Sequence, residues 1–305
     1  MKEPGGELGA RMRRLVEEQQ TSICAMLAQL DGKKFSTEQW SRDGGGGGLS
    51  AILSNGDLFE KAGVNTSAVW GELDDRALAK MAGTTGAASD ARIGRDFFAT
   101  GISLVLHPRS PMVPTLHANF RFLTRGDAAW FGGGSDLTPY YPRREDVVDF
   151  HRAWKAVCDR HDPGYYPRFK QWCDEYFTIV HRHELRGVGG IFFDDLAGDL
   201  EATFRFVADC CTNVLEPYVP IVSRRREDAY GERERDFQSF RRGRYVEFNL
   251  VYDRGTAFGL ATGGRSESIL MSLPPLASWP YGYVPEQGSR EAEAMRFFQP
   301  RDWLG

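Results

Sequence analysis

Eight residues, Thr115 to Phe122 (TLHANFRF), constrain the fold more than any other stretch. Strict alternation puts Leu116, Ala118, Phe120 and Phe122 on one side of an extended chain. His117, Asn119 and Arg121 fall on the other. Such a segment suits a strand of an antiparallel sheet, with one face in a core and the other open to a ligand. Just before it, Ile102 to His107 (ISLVLH) reads as a second strand, and Pro108, Pro111 and Pro114 punctuate the connection. The two make an antiparallel pair, with Ser103 and His107 sharing a face of the first.

Helical spacing predicts a helix over Leu8 to Leu30, striped by Leu15, Ile23, Met26, Leu27 and Leu30. Further helices are expected over Arg144 to Cys158, Pro167 to Glu184 and Glu201 to Leu215, and a short buried strand at Ile191 to Phe193. The C-terminal third reads as strands. Arg244 to Tyr252 (RYVEFNLVY) alternates, Asp253-Arg254-Gly255 turns, and Thr256 to Ala261 and Ser268 to Leu273 follow. The whole predicts one α+β domain over residues 1–305: a large antiparallel sheet flanked by helices on both faces. Gly44 to Gly48 predict a flexible loop over 43–49. No Lys-Ser/Thr follows them, so they do not make a phosphate loop.

The 305 residues carry a net charge of −4, which argues against a nucleic-acid or membrane-surface binder. An anionic ligand would need locally placed arginines. The five cysteines, Cys24, Cys158, Cys173, Cys210 and Cys211, contain no C-x-x-C, which disfavours a disulfide framework or a cysteine zinc site. No apolar run reaches the ~18 residues of a membrane span. Residues 1–20 lack a secretory apolar stretch and mix arginines with glutamates, so a cytoplasmic location is expected over a mitochondrial one.

Chemistry concentrates in four places. His117, Asn119 and Arg121 offer a proton-transfer group, an amide and a carboxylate clamp, or else a solvated strand face. Trp130 to Tyr141 (WFGGGSDLTPYY) brings three glycines near Asp136. Asp253 reads as a base or as a turn-starting aspartate paired with Arg254. Thr262-Gly263-Gly264-Arg265 could set backbone amides beside a cation, or form a plain turn.

Together HPRSPMVPTLHANFRF, WFGGGSDLTPYY, RGVGGIFFDDL, RRGRYVEFNLVYDRGTAFGL and TGGRSESILMSLPP resemble the oxygen-dependent coproporphyrinogen III oxidase family, from about Trp40 to Trp303. The resemblance implies oxidative decarboxylation of two propionates of coproporphyrinogen III to vinyls, giving protoporphyrinogen IX with release of carbon dioxide and hydrogen peroxide. Molecular oxygen is then the co-substrate and no cofactor is required. It implies catalytic roles for His117, Arg121, Asp136 and Asp253. Ser103, Asn119, Phe120, Arg121, Gly263, Gly264 and Arg265 match substrate contacts. A divalent metal on His107, His117, His151 and His181 is the one addition it offers, and a homodimer through strands near 245–280 the expected assembly. A non-haem iron oxygenase would instead need two histidines and a carboxylate to converge, and a tetrapyrrole carrier would bind without chemistry. The oxygen-independent route needs closely spaced cluster cysteines, which this sequence lacks.

Overall fold

The computed structural model describes residues 5–73, 75, 94–261 and 265–305. Seven strands form one antiparallel sheet: β1 (Ser36–Ser41), β2 (Gly46–Ser54), β3 (Phe59–Glu72), β4 (Asp96–Pro108), β5 (Thr115–Arg125), β6 (Ala128–Thr138) and β9 (Gly190–Leu196). Their spatial order is β1-β2-β3-β4-β5-β6-β9, a meander closed by one later strand. The first strand pair stands as expected: Ser103 lies opposite Asn119 and Val105 opposite His117. A two-stranded ribbon, β7 (Thr178–Ile179) and β8 (Glu184–Leu185), sits apart from the large sheet.

One sheet face is the main core. Leu104, Leu116, Ala118, Phe120, Phe122 and Phe131 pack there against α1 (Gly6–Asp31), α2 (Arg144–Asp159), α3 (Tyr165–Tyr176) and α4 (Leu200–Thr212). Met12, Val16, Ile23 and Leu27 are the buried stripe of α1, and Val147, Phe150, Trp154 and Val157 that of α2. Burying a residue such as Phe120 contributes about 2–3 kcal/mol, so this strand face alone fixes the register.

The C-terminal third departs from the sequence reading. After α5 (Val219–Arg225), residues expected as strands form α6 (Glu232–Val251), α7 (Arg254–Ala261) and α8 (Ser266–Leu270); α9 (Arg290–Met295) follows. RYVEFNLVY fits both periods, because Tyr245, Phe248, Asn249 and Tyr252 are also helical neighbours. Upstream residues decide the matter. Phe237, Arg241 and Tyr245 continue the buried stripe at helical spacing, and Glu234 accepts the Gly231 N–H at the helix start. Buried arginines then bolt α6 down: Arg242 pairs with Glu60 of β3 at 2.8 Å and Arg241 with Glu184 at 2.6 Å.

Two smaller expectations also change. The helix after Pro167 ends at Tyr176, so His181 lies in a 3₁₀ turn (Val180–Arg182) and His183 follows at φ 54°. The glycine run is a loop only at its start, since Gly46, Gly47 and Gly48 enter β2. An ideal Cβ on Gly48 would lie 2.6 Å from the Trp40 ring opposite, so that register needs glycine. Among the described residues no helix is long and apolar enough to cross a membrane.

Candidate active site

The second sheet face forms the floor of a cavity of about 790 Å³. From His117 to Leu123 the floor runs about 20 Å at ~3.4 Å per residue, and from β3 to β6 it spans about 14 Å. It is broad and shallow rather than a slot. Residues from α7, α8 and the chain after them roof it, and Tyr176 and Phe177, at the end of α3, wall one side.

His117, Asn119 and Arg121 project from alternate positions of β5 into this space, and Ser103 joins them from β4. Asp253 and Arg265 enter from the roof. The strand therefore offers its polar face to a cavity, not to bulk water. Asp136 lies behind His117 on β6, 1% exposed, with Oδ1 at 2.8 Å from His117 Nδ1. Arg186 Nη2 donates to both Asp136 oxygens at 2.8 Å. Burial alone would raise the Asp136 carboxyl, but Arg186 and His117 outweigh it and hold it below the usual range. An ionised carboxylate only accepts, so His117 carries a proton on Nδ1 and leaves Nε2 for the cavity.

Asp253 is both an N-terminal cap and a cavity carboxylate. Its Oδ2 accepts the Thr256 N–H at 2.7 Å and its Oδ1 the Tyr176 hydroxyl at 2.8 Å. Burial pushes its carboxyl up; the Thr256 donors and the Tyr176 hydroxyl bring it below the ordinary range. It does not pair with Arg254, whose Nη2 instead lies 3.5 Å from Asp194. Arg121 Nη2 donates to Asp194 at 2.8 Å, while its buried Nε has no protein partner. Gly132 makes this pair possible, because an ideal Cβ there would sit 2.4 Å from Asp194 Oδ1 and 2.9 Å from Arg121 Nε. Arg265 reaches Glu38 at 2.6 Å, and Arg42, also on the lining, donates to the Trp70 carbonyl at 2.9 Å.

Several expected site residues stand elsewhere. The Phe120 side chain faces the core, packed on Trp154 and Phe193, so it turns away from the cavity. Gly263 and Gly264 lie outside the described residues. The four-histidine metal site does not assemble. His107 is buried, with Nε2 on the Ser272 carbonyl at 2.9 Å and Nδ1 beside Thr115 Oγ1 at 3.3 Å. His151 lies in the core on the other sheet face, between Tyr166 Oη and the Val188 carbonyl, both at 3.0 Å. His181 is exposed and spends its nitrogens on Tyr252 and Glu247. Among the described residues no three metal-ligating side chains converge. A two-histidine, one-carboxylate iron site has no fit here, because His117 is the only histidine lining the cavity among the described residues.

Sequence reasoning did not single out Arg186 and Tyr176, which line the cavity, or Asp194, which pairs with Arg121 beside it. A signal for two of them was present. Extending the Ile191–Phe193 strand by one residue puts Asp194 on the face of Phe192, the cavity side. Arg186 precedes that strand in the same block.

A family model described as coproporphyrinogen III oxidase matches residues 11–303, nearly the whole chain. With that match and this sheet, the chain belongs to the coproporphyrinogen III oxidase family, enzymes of porphyrin biosynthesis.

Proposed function

We propose that the chain uses molecular oxygen to convert two propionates of coproporphyrinogen III to vinyls, yielding protoporphyrinogen IX. One observation carries this reading. A broad cavity gathers Arg121 and Arg265 at its lining with His117, Asn119 and the ionised Asp253 between them. A reduced tetrapyrrole, bent at its sp³ methylene bridges, with carboxylates at its rim and N–H donors at its centre complements that arrangement. The chain is net negative, so the local guanidinium groups, not a general field, recruit the polyanion.

Each turn of chemistry balances without a further redox partner. The propionate β-carbon gives up a hydrogen with its electron pair to oxygen. The bond to the carboxylate then breaks, and its electrons form the vinyl double bond as carbon dioxide leaves. Oxygen, with that hydride equivalent and one proton, becomes hydrogen peroxide. Asp253 accepts pyrrole N–H groups and stabilises positive charge growing on the ring. Arg121 holds the reacting carboxylate through parallel hydrogen bonds, fixing the β-carbon in place. His117, once protonated on both nitrogens, supplies the proton from Nε2.

A second copy of the chain belongs to this proposal. Nine of the twelve exposed large hydrophobic residues among the described ones fall between Leu250 and Val284, among them Val251 at 65% and Val284 at 80%. So dense an apolar surface suits an obligate homodimer partner. Helices and loops, not the expected strands, would form that interface.

The test is incubation with coproporphyrinogen III in air and under anaerobic conditions. Vinyl product, carbon dioxide and peroxide should form only in air, with one oxygen consumed per vinyl. Binding without oxygen uptake would reduce the protein to a carrier and overturn the proposal.

A further inference from the structure

The geometry points to Arg186 as the positioning residue of the site: it sets the proton of His117 through Asp136 and ties that pair to the helix leading to Asp253. We infer this role on the reading above, and it adds to that reading a residue that need not touch substrate. Arg186 is 1% exposed. Its guanidinium lies 4.2 Å from the Phe177 ring centre, 4.4 Å from Tyr245 and 4.9 Å from Phe248. Rings on three sides fix its plane. From that plane Nη2 bridges both Asp136 oxygens, while Nη1 donates to Asn249 Oδ1 at 2.7 Å. Asn249 lies on α6, and Asp253 stands two residues past the end of that helix. One side chain thus connects the sheet half of the site to the helical half.

Its approach depends on glycine. An ideal Cβ on Gly187 would lie 2.2 Å from the Leu137 carbonyl, so only glycine lets the chain press against β6 beside Asp136. Lysine cannot reproduce the fork, since a single ammonium has no planar pair of donors for Asp136 and Asn249 together. The groups around Asp136 are His117 from β5, Arg186, Cys173 from α3 and Tyr245 from α6. Arg186 and His117 are the two that favour its ionised form. Without Arg186, burial dominates and Asp136 takes up a proton. Its hydroxyl then donates to Nδ1, and the histidine proton moves to Nε2, reversing the polarity presented to the cavity.

The experiment compares wild type with Arg186→Gln, Arg186→Lys and Asp136→Asn. Nitrogen NMR of histidine-labelled protein reads the His117 tautomer, assigned with His117→Gln, and pH–rate profiles read function. Wild type should carry the His117 proton on Nδ1. Arg186→Gln should move it to Nε2, lower kcat by about a hundredfold, leave KM within about threefold, and shift the acid limb toward neutral pH. Arg186→Lys should restore the limb but only part of the rate. Combined with Asp136→Asn, the Arg186 substitutions should add little, because both act through one pair. An Nε2-bound proton in wild type overturns the inference even if every variant misfolds. Folded Arg186→Gln with an unchanged tautomer, or losses that add to Asp136→Asn, overturn it as well. If wild type shows no turnover, the proposed reaction fails while the tautomer result still decides the role of Arg186.

Discussion

Replacing Gly132 with alanine should injure catalysis far more than stability. The backbone there is not left-handed, so alanine is tolerated by the chain itself, and the damage comes from its methyl group. That methyl would start 2.4 Å from Asp194 Oδ1 and 2.9 Å from Arg121 Nε, so Asp194 must retreat by about 1 Å and Arg121 by about 0.5 Å to reach ordinary contact. Asp194 is held by Arg121 at 2.8 Å and by the Asp195 N–H at 3.1 Å, so its displacement drags Arg121. The Arg121 side chain is 33% exposed, and solvent screens part of the loss. The pair is then worth about 1–2 kcal/mol of stability, a fall of about 2–4 °C in Tm. A shift of about 1 Å in a residue clamping the reacting carboxylate costs about a hundredfold in kcat/KM. Gly133→Ala is the control. Its methyl would meet Phe120 and the Asn119 carbonyl at 2.7 Å, on the core side, so Tm should fall further. Paired melting curves and steady-state kinetics on both variants provide the assay. Gly132→Ala with wild-type kcat/KM would show that Arg121 does not hold the reacting group.

Three further outcomes follow from the same geometry. Asp253→Asn keeps an oxygen for the Thr256 N–H, so the fold should survive while kcat drops by about a hundredfold or more; near-normal turnover in correctly folded protein removes Asp253 from its role. Burial lowers His151 to about 4 and holds His107 well below its ordinary value, so both are neutral when folded. Their stabilisation is complete above about pH 6.5 and shrinks as acid protonates the unfolded chain, by about 3 kcal/mol for His151. Glu247 and Glu291, depressed to about 2, add a second loss below about pH 4.5, so Tm should fall in two stages. His151→Phe should shrink the first stage only, and a Tm flat to pH 4 would contradict the burial argument. If the proposed homodimer uses this surface, Val251→Glu with Val284→Asp should yield monomers in sedimentation; an unchanged assembly would place the interface elsewhere.

The sheet was legible because TLHANFRF has only one workable period and its two faces differ in kind. Ser103, His117, Asn119 and Arg121 were therefore found with their neighbours. Asp253 was identified through a wrong element: it was placed at a strand end, yet it follows α6 and caps α7. The error mattered little, since either element end delivers a carboxylate to the same cavity. Arg186 stands in a block that the sequence singled out, yet its role was not legible there, for a different reason. A buried arginine is recognised by its ring cage and its paired acid, which here come from the end of α3, from α6 and from β6. No local pattern encodes such a partnership. The metal role of His151 came from the family resemblance alone; a histidine on an apolar stripe is more often a core residue, and Tyr166 and Val188, which satisfy it, are distant in sequence.

The roof is fastened in a way that explains why a polar floor coexists with a fixed ceiling. Lys61 donates to the Leu273 carbonyl at 2.8 Å, Asn65 to that of Ser268 at 3.1 Å, and His107 to that of Ser272 at 2.9 Å. In each case a sheet side chain reads the main chain of the roof. Main-chain carbonyls are present whatever residue stands there, so the roof side chains remain available to the cavity. Met271 follows this logic, lying over Gly63 where an ideal Cβ would come within 1.8 Å of its sulfur. His107, expected as a metal ligand, is instead one of the fasteners. Being neutral, it has a single N–H, given to Ser272, and its other nitrogen accepts from Thr115. Protonation would remove the acceptor that Thr115 uses but keep the Nε2–H on Ser272, so burial preserves the Thr115 contact while the roof bond holds in either state.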